Sequence, residues 1–114
     1  MTAKVIHFEV VGKDGEALQR FYSDVFGWKL DTNNPGGYGM LRDEGASPIT
    51  GGIGASQDGG PGHVTFYVHD DDPAGLLRRV EERGGKVLMP LTEVAKDTTV
   101  GLFADPEGHV IGVM

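Results

Sequence analysis

A chain of 114 residues, 39% of them hydrophobic and 24% charged, has the size and composition of one folded domain that needs no covalent staple to bury a core. Seventeen acidic residues against ten basic ones leave a formal charge of -7, a surface that repels phosphate backbones and anionic headgroups, so nucleic acid and membranes are not expected partners. The absence of cysteine excludes thiol nucleophiles, zinc-thiolate sites and disulfide frameworks, and makes a reducing cytoplasm the expected setting.

The opening "MTAKVIHFEVV" holds one lysine and a short apolar run broken by His7 and Glu9, too short and too polar for a signal peptide or a membrane span. It reads as a strand with Phe8 and Val10 on one side and His7, Glu9 and Val11 on the other. Next, Leu18, Phe21, Tyr22, Val25 and Phe26 recur at three- and four-residue steps, which predicts an amphipathic helix stopped by Gly27. Trp28 is expected to pack at the junction after that helix, and Trp28 and Leu30 to open a second strand. The glycine-rich "NNPGGYG" is a tight connection. Tyr38 could line a pocket, but aromatics in strands are more often ordinary packing. "GMLRDEG" then runs from an apolar stretch into an acidic, glycine-closed turn.

After "ASQDGGPG", residues 55 to 62, the opening phrase returns as "HVTFYVHD". Val64, Phe66 and Val68 form the side expected to lie on a helix, and His63, Thr65 and Tyr67 the opposite side. A second helix follows, with Asp72 as its cap, Pro73 in its first turn, Leu76, Leu77 and Val80 on one face, and Gly84 at its end. Val87 and Leu88 open the next strand. In "GLFADPEGHVIGVM" the turn Asp105-Pro106-Glu107-Gly108 predicts a hairpin in which Phe103 faces Ile111 and Leu102 faces Gly112. His69 and His109, beside acidic or turn residues, stay outside the candidate site. "HDDDP" lacks the spaced oxygen donors of a calcium loop.

His63 follows His7 by 56 residues and Gly84 follows Gly27 by 57, so the chain is written twice. It reads as a single α+β domain, 1–114, made of a first strand-helix-three-strand module at 1–54, a linker at 55–62 and a second module at 63–114. A sheet that lies on its helices through one face leaves the other for a cleft, lined by His7, Glu9, His63, Thr65, Tyr67, Leu102 and Met114.

"FYSDVFGWKL", "GGKVL" and above all "FADPEGHVIGVM" resemble the vicinal oxygen chelate superfamily of glyoxalase I, extradiol dioxygenases, fosfomycin-resistance enzymes and bleomycin-binding proteins. The likeness covers nearly the whole chain and is greatest to small bacterial proteins related to lactoylglutathione lyase. It implies two βαβββ modules forming a curved sheet around a cleft, and a homodimer. It also implies that His7 and His63 match first-strand ligands of a divalent ion such as Ni, Zn, Mn or Fe. The last-strand carboxylates it calls for, near Gly52 and Gly112, are missing from this sequence. Glu9, two residues from His7, is the carboxylate left to act as third ligand or base. Two functions follow from the likeness. One is a glyoxalase-type isomerase or lyase in which the ion chelates a small substrate. The alternative is a metal-free binder that sequesters a small organic molecule, as bleomycin-binding members do.

Overall fold

The computed structural model describes residues 2–114. Its elements run β1 (Lys4–Gly12), α1 (Gly15–Phe26), β2 (Gly39–Leu41), β3 (Thr50–Ala55), β4 (His63–His69), α2 (Pro73–Glu82), β5 (Lys86–Ala95), β6 (Thr98–Ala104) and β7 (Val110–Val113). The class is α+β, with parallel and antiparallel pairings. The chain divides into two compact units. One is His7–Val64; the other is Thr65–Met114 together with β1 up to Ile6.

In the His7–Val64 unit the strand order is β2-β3-β1, with β1 parallel and β2 antiparallel to β3. Asp14 caps α1 by accepting the Ala17 N–H, and Gly27 closes the helix in the left-handed region at φ 72°, donating its N–H to Ser23. That turn sends Trp28 back onto the helix end, where its ring lies 4.9 Å from Phe26, 5.7 Å from Phe8 and 6.3 Å from Tyr22. The expected strand at Trp28 and Leu30 is not formed: a single bridge between Asp31 and Met40 stands in its place. The unit's sheet is therefore narrow, and the outer members of the α1 stripe, Phe21, Val25 and Phe26, remain more than half exposed.

Two successive glycines in β3 explain how this unit closes. Side chains alternate across a strand, so Gly51 and Gly52 face opposite ways. A Cβ on Gly51 would lie 2.0 Å from the Phe8 ring, and one on Gly52 would lie 1.7 Å from the Tyr38 hydroxyl. Each glycine is thus the floor under an aromatic ring, while Leu41 and Ile53, both fully buried, fill the rest of the core.

The Thr65–Met114 unit has the complete strand-helix-three-strand plan, in the order β4-β7-β6-β5. Asp72 caps α2 through the Gly75 N–H, with Pro73 at its first position. The hairpin forms in its expected register, Leu102 opposite Gly112 and Phe103 opposite Ile111, with Gly108 at φ 92° in the turn. Leu77, Val100 and Val113 are its buried aliphatic core. The sequence reading of β4 needs correction: Phe66 is 40% exposed and Val64 77% exposed. The opposite side, Thr65 and Tyr67, is the buried one. Among the described residues no helix is long and apolar enough to cross a membrane.

Candidate functional site

Parallel pairing of β1 with β3 sets His7 opposite Thr50 and Glu9 opposite Gly52, on one face. His7 is buried, and its Nδ1 lies 2.7 Å from the Thr50 hydroxyl while its Nε2 lies 3.1 Å from the Tyr38 hydroxyl. Tyr38 donates its proton to Glu9 Oε1 at 2.9 Å. The other carboxylate oxygen, Oε2, is 2.9 Å from His63 Nε2. Thr50, His7, Tyr38, Glu9 and His63 thus form one continuous hydrogen-bonded line inside the His7–Val64 unit.

Donor and acceptor roles along this line follow from the acceptor-only Glu9 carboxylate. A carboxylate only accepts, so His63 carries its proton on Nε2. Tyr38 spends its single proton on Glu9, so its oxygen accepts from His7 Nε2–H, and the Nδ1 lone pair of His7 receives the Thr50 hydroxyl. Burial pushes the His7 pKa below the usual histidine value, with the Glu9 carboxylate opposing it in part. His7 is accordingly a neutral imidazole near pH 7.

A histidine whose folded pKa is lowered binds fewer protons folded than unfolded, so stability is full above the unfolded pKa near 6.5 and falls as pH drops below it. Urea unfolding at stepped pH should show this decline, with a slope of at most about 1.4 kcal/mol per pH unit from this one group. His7→Gln should flatten it; an unchanged slope would assign the acid sensitivity elsewhere.

Of the residues expected in the site, His7, Glu9 and His63 are brought together. Thr65, Tyr67, Leu102 and Met114 belong to the other unit. There the Thr65 hydroxyl donates to the Val110 carbonyl, and the buried Tyr67 ring covers Gly112, which also pairs with Leu102. Met114 is tied by its backbone N–H to the Val68 carbonyl. Of the other two residues of the line, Thr50 was not among those expected and Tyr38 was expected first as packing. The side-chain alternation of β3 could have indicated Thr50, but nothing local marks Tyr38. His109 is accounted for by its bonds to Asp105, whose carboxyl is held below the usual range first by the His109 backbone N–H.

A divalent ion held by His7, Glu9 and His63 does not fit this arrangement. A phenol bonded to both residues lies between His7 and Glu9. Among the described residues no three His, Cys, Asp or Glu side chains are grouped to hold an ion.

A family model described as the Glyoxalase/Bleomycin resistance protein/Dioxygenase superfamily matches residues 4–113. A Mycobacterium tuberculosis protein named "Putative glyoxylase CFP32" is 29% identical over 106 residues, covering 88% of this chain and 41% of its own length. The anthracycline biosynthesis protein DnrV of Streptomyces peucetius is 30% identical over 122 residues, covering 93% of this chain and 44% of its own. This chain thus spans less than half the length of the curated relatives it matches. Methylmalonyl-CoA epimerase from Mycobacterium tuberculosis shares the fold, with a TM-score of 0.62 at 19% identity, over 96% of this chain and 85% of that one.

Proposed function

The chain belongs to the glyoxalase/bleomycin resistance protein/dioxygenase superfamily, and from that premise we propose that it binds a small oxygen-bearing organic molecule at the Tyr38–Glu9–His63 group. The observation that carries this reading is Glu9, a carboxylate 13% exposed at its side chain, held from one side by a phenol and from the other by an imidazole. A polar cluster fixed in geometry before a ligand arrives can orient hydroxyl or carbonyl groups at little entropic cost. The name of the DnrV relative supports an oxygen-rich aromatic ligand, and the net charge of -7 argues against a polyanion.

No step of this reading passes through a metal. Thermal-shift screening of hydroxylated aromatics and small keto compounds should find a ligand that raises the melting temperature by roughly 10 °C at a hundredfold excess over its Kd. Ni, Zn, Mn and Fe ions should leave it unchanged. Stabilisation by one of these ions that vanishes in His7→Ala would overturn the metal-free reading and restore the glyoxalase-type one.

The protein acts in the cytoplasm in this reading, as a homodimer. Phe21, Val25 and Phe26 present an apolar stripe on α1, and curated relatives have more than twice the matched length in one chain. Light scattering at micromolar concentration should give twice 12.1 kDa, and Phe26→Glu should lower that mass toward the monomer. A wild-type monomer would refute it.

A further inference from the structure

We propose that Tyr38 is the positioning residue of this site, fixing which nitrogen of His7 is protonated, and that Gly52 and Gly54 are bare because the Tyr38 ring lies where their side chains would be. A Cβ on Gly52 would fall 1.7 Å from the phenol oxygen and 1.9 Å from Cζ; one on Gly54 would fall 2.8 Å from Cδ1. The ring therefore runs along β3 across two glycines spaced by one residue, with its hydroxyl at the Gly52 end, opposite Glu9.

Tyr38 comes from a connection between elements, yet it is held like a residue of regular structure. The Asn34 side chain grips its backbone at both ends, donating to the Tyr38 carbonyl at 2.7 Å and accepting its N–H at 3.0 Å. Gln19 of α1 donates from one amide nitrogen to the Gly37 carbonyl at 2.9 Å and to the Ile53 carbonyl at 2.8 Å, tying the residue before Tyr38 to the residue between the two glycines. A phenol anchored in this way imposes its single donor and its acceptor on both neighbours. Glu9 receives the proton, and His7 must present Nε2–H.

Nitrogen-15 resonances of the histidine side chains read this directly. In the wild type His7 is the Nε2–H tautomer. Tyr38→Phe keeps the ring and removes the hydroxyl, so His7 should switch to the Nδ1–H tautomer and donate to Thr50. If the variant keeps Nε2–H, the proposal is wrong, since a tyrosine that merely fills space would leave the tautomer unchanged. For the glycines, Gly52→Ala should be far more destabilising in the wild type than in a Tyr38→Ala background; equal costs in the two backgrounds would remove that half of the inference. The proposal shares its site with the ligand-binding reading, but the two fail separately. A tautomer switch without any ligand found in the screen would sink only the binding reading.

Discussion

Gly62→Ala should lower stability by about 3–5 kcal/mol, a large share of the roughly 5–15 kcal/mol that holds a domain of this size. Gly62 sits at φ 76°, where an alanine carries backbone strain, and its Cβ would meet the Val11 carbonyl oxygen at 2.0 Å and the Gly12 nitrogen at 2.9 Å. Both are main-chain atoms of β1, so neither can swing aside as a side-chain tip would. Gly59, three residues earlier, supplies the control. It has nearly the same φ, 71°, with nothing within 4 Å of its Cβ, so Gly59→Ala should cost only about 1 kcal/mol. Denaturant unfolding of the two variants separates strain from contact, and equal losses would refute the contact. Gly62 also immediately precedes His63, so the variant should weaken the His63–Glu9 pair, visible as a change in the His63 resonances.

Glu9→Leu should abolish ligand-induced stabilisation, with a rise in Kd of at least about tenfold, and should cost about 2 kcal/mol of folding stability. The substitution removes the acceptor of both the Tyr38 hydroxyl and His63 Nε2–H, in a place where Glu9 and His63 are mostly sheltered from water. The leucine recovers part of the loss by burying apolar surface. Glu9→Gln should behave differently: the amide keeps one acceptor for Tyr38, and His63 can exchange tautomers to accept from the amide nitrogen. Thermal shift with a bound ligand distinguishes them. Ligand binding retained by Glu9→Leu would dissociate the carboxylate from the site.

The repeat was the most legible feature of the sequence, because it rests on many residues at once. The hairpin at Asp105–Gly108 was legible down to its register, since a three-residue loop with glycine at positive φ leaves one pairing. Alternation found the two sides of β4 but not which of them is buried, because both sides carry residues able to pack: Thr65 and Tyr67 are buried, Val64 and Phe66 exposed. The strand at Trp28 and Leu30 failed for a related reason: Trp28 is drawn into the aromatic cluster with Phe26 and Phe8, and the chain reaches β2 with only the Asp31 bridge. At the candidate site His7, Glu9 and His63 could be named from one strand pattern and its echo. Tyr38 could not, because its place depends on Asn34, Gln19 and an absent side chain at residue 52.

The aromatic floors make the order of mutational steps matter. Gly112 lies under the Tyr67 ring, 2.3 Å from where its Cβ would be, as Gly52 lies under Tyr38. An acidic residue at either position meets the tyrosine ring above it, so a lineage or library acquires a carboxylate there most readily once that ring has moved or shrunk. Saturation at 52 or 112 alone should therefore favour glycine, whereas paired randomisation of 38 with 52, or of 67 with 112, should admit more replacements.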